Sequence, residues 1–150
     1  MLSGYYINEN DLLPYIDSTE LNSITTVIDS SSGLTNVQQA IINRCSYVDS
    51  QLSDRYETPF DLNDATQAKY VTNALKQAIA SMVLYDLLIN YQSASEEVAK
   101  VREMNYKNAI QFLTDIRNGK LSLITELDDL GEKVDRYYFK STKRIDESFH

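Results

Sequence analysis

The chain reads as an all-α protein: an antiparallel bundle of about three main helices, with a short N-terminal helix in front and an extended C-terminal arm behind. Three observations carry this. Apolar residues recur at steps of three and four along three long segments, the period of one helical face. Only 4 Gly and 2 Pro stand among 150 residues, too few for the many turns of an all-β domain. Apolar residues make up 43% of the chain, enough to close a single core.

The elements follow in order. Asn8 is placed to cap a short helix from Glu9 to about Ile16, which Pro14 limits or kinks. Ser18 or Thr19 starts another turn through Leu21, Ile24 and Thr25. The stretch Asp29-Ser30-Ser31-Ser32-Gly33 has loop composition and separates this N-terminal part from the core helices.

The first main helix runs from Thr35 to Glu57. Thr35 and Gln38 form a capping-box pair, and Val37, Ile41, Cys45, Val48, Leu52 and Tyr56 line one face. Pro59 stops it, because its ring disfavours helical geometry at Thr58. A second capping pair, Asp64 and Gln67, opens a long helix reaching to about Tyr91. Its stripe of Ala68, Val71, Leu75, Ala78, Ile79, Met82, Leu88 and Ile89 is apolar enough for burial on more than one side.

Ser93 and Ser95 can both cap the third helix, roughly Glu96 to Asn118, with Val98, Val101, Ala109, Phe112, Leu113 and Ile116 facing the core. Gly119 suits a left-handed C-cap, and the apolar Leu121 and Leu123 follow. Short connections between the three favour antiparallel packing.

From residue 126 the character changes. Glu126 to His150 holds 7 acidic and 5 basic residues. Leu127, Leu130, Val134 and Tyr137 are spaced for an amphipathic helix, weakened by Gly131. This divides the chain into a helical domain, 1–125, and a charged, aromatic arm, 126–150, expected to order against a neighbour. Residues 1–8 are expected to behave as a short mobile arm as well.

The residues offer little for chemistry. The only histidine is His150 at the last position, a poor place for the positioned imidazole that a triad or a metal site needs. The glycines at 4, 33, 119 and 131 stand alone, so no phosphate loop exists. Glu96-Glu97 and Asp128-Asp129 are neighbours in sequence, which on a helix point apart. Asp61, Asn63 and Asp64 lack the glycine and distal glutamate of a calcium loop. Cys45 is the only cysteine and falls on a core face, where a small buried hydrophobe is expected. No catalytic activity, cofactor or metal is expected.

The net charge is −8, and no Lys or Arg precedes Arg44. Proteins whose main work is gripping a phosphate backbone cluster their cations, so direct nucleic-acid binding is disfavoured. No apolar run reaches the ~20 residues that cross a bilayer, and MLSGYYINENDL lacks the basic and apolar parts of a signal peptide. A soluble protein made in a cytoplasm is expected.

Tyrosine is the unusual abundance: 11 Tyr against 4 Phe and no Trp. Tyrosine offers large contact area with few rotatable bonds and is enriched at interfaces. Tyr47, Tyr70, Tyr85, Tyr91 and Tyr106 fall within helices and are expected to edge the core. Tyr5, Tyr6, Tyr137, Tyr138, Phe139 and Phe149 lie in terminal segments and are candidate contacts with other subunits or partners. Arg55 and Phe60 join that candidate set. Structurally, Phe60 would staple its loop to the bundle, and Arg55 would pair with Asp54, Glu57 or an acidic neighbour.

Several pieces stand in a telling order. Arg55-Tyr56-x-x-Pro59 is followed by a long helix, and then by Tyr106-x-x-Ala109-x-x-Phe112-Leu113-x-x-Ile116-x-x-Gly119-Lys120-x-Ser122-Leu123. Asp11-Leu12-Leu13-Pro14-Tyr15-Ile16 precedes them. In this order and spacing, residues 8 to 125 resemble the phage Mu-type head–tail connector family. Its members are small α-helical proteins related to the adaptor, or head-completion, rings of tailed bacteriophages.

The resemblance implies a structural protein of the virion neck, made in the bacterial host cytoplasm. It would assemble with itself, commonly about 12 copies to a ring, between the portal protein and the tail or further neck proteins. DNA would pass through without sequence-specific binding, and acidic walls would keep it from sticking. A different class of function also fits the residues: a small cytoplasmic helical module that grips a partner protein with its tyrosines.

Overall fold

The computed structural model describes residues 2–89 and 95–124. A single 3₁₀ turn, Glu9–Leu12, leads into α1 (Ser18–Ile24), a small antiparallel hairpin of β1 (Val27–Asp29) and β2 (Leu34–Thr35), and then α2 (Asn36–Leu52). After a loop come the one-turn α3 (Ala65–Ala68), α4 (Asn73–Leu88) and α5 (Glu96–Arg117). The fold is all-α apart from the hairpin.

The caps explain where helices start. Asn8 accepts from the Asn10 N–H while Asp11 reaches back to the Asn8 N–H at 2.8 Å. Thr35 and Gln38 exchange the same reciprocal bonds, both 3.1 Å, and so satisfy two donors at the start of α2 that no helical turn could reach. Ser95 accepts from Val98 N–H and opens α5. The alternative cap, Ser93, lies outside the described residues.

α5 ends as its sequence suggests. Gly119 sits at φ +82°, Gly119 N–H donates to Ile116 O (3.1 Å), and Lys120 N–H donates to Asp115 O (2.8 Å). Those two bonds make a Schellman close, which needs a left-handed residue at this point.

α4 is the central helix. From Ala78 to Leu84 every residue is buried, so this stretch is covered on all sides, as its apolar run predicts. α2 packs on it through Val37, Ile41, Cys45, Val48 and Leu52, and α5 through Ala109, Phe112, Leu113 and Ile116. Arg44 on α2 meets Asp86 late in α4, whereas Gln51 late in α2 meets Arg117 at the end of α5. The three main helices therefore run up, down and up.

Three expectations are corrected. The helix expected over Thr35–Glu57 stops at Leu52, where Arg55 and Tyr56 N–H groups both turn back onto Leu52 O. This turn releases Arg55 and Tyr56 from the α2 face toward the end of α5. The long helix expected from Asp64 is two: Asp64 does cap a turn, but α3 ends at Ala68, and Thr72 accepts from Leu75 N–H (3.2 Å) to open α4 afresh. A second cap a few residues inside an apolar run divides a helix that periodicity alone reads as continuous. Its expected end at Tyr91 lies outside the described residues.

The third correction concerns the N-terminal part. It is not a separate arm. Tyr6, Ile7, Leu12, Tyr15, Ile16, Leu21 and Ile24 all join the core. The Asp29–Gly33 stretch is a loop, as its composition suggests, but it is the tip of the hairpin, with Gly33 at φ +75° closing it onto Asp29 O.

Candidate interaction surfaces

The terminal and loop aromatics sort into two groups. Tyr6 is 6% exposed and Phe60 5%, so two residues expected at an interface lie inside the protomer. Tyr6 Oη donates to Asp49 Oδ1 at 2.5 Å and accepts from Phe60 N–H at 2.9 Å. One hydroxyl thus ties the N-terminal segment to α2 and to the loop after Pro59. Burial, reinforced by the Asp49 carboxylate, pushes the Tyr6 phenol well above its ordinary range. Burial also raises Asp49, against the lowering effect of the Tyr6 bond.

Around this tie the rings of Tyr6, Tyr56, Phe60 and Tyr70 form a chain of contacts, with centroids 5.2–6.1 Å apart. Tilted and edge-on rings at this spacing gain from their quadrupoles as well as from burial. Tyr56 Oη then accepts from Leu123 N–H at 3.1 Å, which brings the chain after α5 onto the same cluster.

Arg55 is exposed but anchored. Its Nη1 donates to Ile116 O (2.7 Å) and Leu121 O (2.9 Å), and its guanidinium lies over the Tyr56 ring. A cation here adds a charged donor to Ile116 O, which already accepts from Gly119 N–H, and complements the negative end of α5. The expected carboxylate partners, Asp54 and Glu57, are replaced by backbone oxygens.

Tyr5 does remain accessible, at 39%. It lines an open groove of about 540 Å³ between the N-terminal segment and the α3–α4 region, with Leu2, Leu62 and Val71 among its apolar walls and Asp11 and Lys76 among its charged ones. Tyr137, Tyr138, Phe139 and Phe149, with the rest of the 126–150 arm, lie outside the described residues.

Other features escaped the sequence reading. Arg44 holds Asp86 with two bonds of 2.6 and 2.7 Å while its guanidinium faces the rings of Tyr47 and Tyr106, and Tyr106 stacks on Tyr85 at 4.0 Å. The Asp86 bonds raise the Arg44 guanidinium further above its ordinary value. This cluster clamps α2, α4 and α5 together at the surface. Arg102, 7% exposed, reaches Glu20 at 3.0 Å and ties α5 to α1. The signal for both was only a charge among apolar helical positions, whose partner lies some 40 or 80 residues away.

The hairpin exposes two large apolar residues: Val27 is 61% and Ile28 53% accessible. All three residues of β1 are exposed, so among the described residues nothing covers this strand. Ile89 at the end of α4 is 57% exposed. Among the described residues no three metal-binding side chains converge, and no helix is long and apolar enough to cross a membrane.

The family model for Bacteriophage Mu, Gp36 matches residues 6–137. The chain belongs to that family. It is accordingly a bacteriophage protein, and the match takes in the core helices, the aromatic cluster and the first part of the charged arm. Comparison with curated proteins and with solved structures gives no match.

Proposed function

We propose that this phage protein is a structural component of the virion neck, forming a ring between the portal and the tail that completes the head and leaves a channel for DNA. The family match over residues 6–137 is the observation that carries the reading. The fold supports it in a second way. The central helix α4 is enclosed, while the hairpin and the groove stand open on the protomer. A head-to-tail ring needs such unlike surfaces, because each copy shows a different face to each neighbour and the set closes by rotation.

The work in this reading is mechanical, with no catalytic step. Ion pairs and aromatic contacts lock the helices to one another. Fifteen Asp and Glu against nine Lys and Arg before position 125 give the body an acidic surface that would let a duplex pass without adhering.

Native mass spectrometry and electron microscopy of the full chain, alone and mixed with the portal protein of the same phage, test the proposal. Closed rings, commonly of about 12 copies, and presence of the chain in purified virions are the expected results. A protein that stays a single copy under all these conditions and is absent from virions overturns the reading in favour of a small helical binding module.

A further inference from the structure

We infer that the N-terminal segment, residues 2–8, and the chain that follows α5, residues 119–124, dock cooperatively through the loop 53–60, so that releasing either one loosens the other. Both segments bring residues to the core: Tyr6 and Ile7 from the first, Leu123 from the second.

The loop joins them. It lies between α2 and α3 and holds neither helix nor strand. Its first half is pinned to the end of α5. Arg55 donates to Ile116 O and Leu121 O, and Tyr56 Oη accepts from Leu123 N–H. Its second half is pinned to α2 and the N-terminal segment. Thr58 Oγ1 donates to Asp49 O at 3.1 Å, and Phe60 N–H donates to Tyr6 Oη, which itself donates to the Asp49 carboxylate. The rings connect the halves, because Phe60 touches Tyr6 on one side and Tyr56 on the other.

Such a loop has little order of its own. Fixing its backbone costs conformational entropy, and no ladder of helical or strand bonds within it offsets that loss. Whichever segment docks first fixes Tyr56 and Phe60 in place. The second then docks on a loop already ordered, which gives positive cooperativity without direct contact between the two segments. Linkage makes the effect reciprocal. A partner that engages one segment therefore changes the hold on the other, and the loop acts as a relay between them.

The single cysteine reports on one side of this relay. Cys45 is buried, and its sulfur accepts from the backbone N–H groups of Tyr6 and Ile7. Burial also pushes its thiol up to about 11, so a thiol reagent reaches it slowly until the N-terminal segment lifts.

The full chain is labelled with DTNB in the absence of denaturant. Tyr56→Phe keeps the ring and removes the oxygen that holds Leu123. Its Cys45 should react at least about 5-fold faster than in wild type, the lower end of ordinary coupling between sites. In the other direction, Tyr6→Phe should speed hydrogen exchange at the Leu123 amide by a similar factor. Leu88→Ala, at the end of α4 away from the loop, lowers overall stability and should change neither readout comparably. Unchanged labelling in Tyr56→Phe, unchanged Leu123 exchange in Tyr6→Phe, or equal acceleration of both in Leu88→Ala overturns the inference. Neither measurement requires a ring to form, so the result is separate from the fate of the neck reading.

Discussion

Tyr6 gives the sharpest test of what holds this protomer together. Replacing it by Phe keeps the ring against Phe60, 5.7 Å between centroids, and removes one oxygen. That oxygen accepts from Phe60 N–H in a buried bond and donates to Asp49. Asp49 can turn toward water, but the Phe60 N–H cannot, so the loss is chiefly one buried donor without a partner, about 1–3 kcal/mol. Tyr6→Ala also removes the buried ring, for a total of about 3–5 kcal/mol.

A urea titration followed by far-UV circular dichroism reads both. With a slope of about 2 kcal/mol/M, a 2 kcal/mol loss lowers the midpoint by about 1 M without changing the slope. The order wild type, Tyr6→Phe, Tyr6→Ala is the expected result. Both variants within ~0.5 kcal/mol of wild type would be surface behaviour. That outcome would refute the assignment of Tyr6 to the core and return it to the interface.

Leu52→Ala, at a fully buried position at the end of α2, should cost about 2–5 kcal/mol in the same titration, through lost transfer energy and a cavity. Gly119→Ala should cost about 1 kcal/mol or somewhat more, because alanine resists the φ of +82° that closes α5. Acid dependence divides two carboxylates. Burial pushes Glu9 up, but the bonds from Leu2 N–H and the Gln38 amide outweigh it, so its folded value is lowered and its contribution is present above the unfolded value and lost as pH falls through the folded one. Glu9→Gln should therefore flatten the acid side of a stability–pH curve. Asp49 is raised by burial, so its ionisation costs the fold stability as pH climbs from the unfolded to the folded value, and Asp49→Asn should remove that decline.

Part of this protein is written locally. The Thr35–Gln38 box, the Gly119 close and the enclosed apolar run of α4 follow from residues within a few positions of one another, and local sequence reports such bonds directly. So does the core, because Ile41, Cys45, Val48, Leu52, Leu75, Ile79, Met82, Leu113 and Ile116 share the helical period and all are buried. The order of the pieces resembles a phage Mu-type family, and the family model over residues 6–137 agrees with that.

Tertiary structure alone decided the rest. Tyr5 and Tyr6 are adjacent and chemically identical and both border the groove, yet one is 39% exposed and the other 6%. What separates them is Asp49 and Phe60, more than 40 residues on. Arg55 could have chosen carboxylates beside it but found the carbonyls at the end of α5, over 60 residues away. Arg44 with Asp86 and Arg102 with Glu20 are likewise fixed by how the helices pack. A polar side chain's partner depends on which segments meet in space, and one-dimensional spacing carries no record of that meeting. Periodicity tells which face of a helix avoids water; only packing tells what that face, and the charges along its rim, will touch.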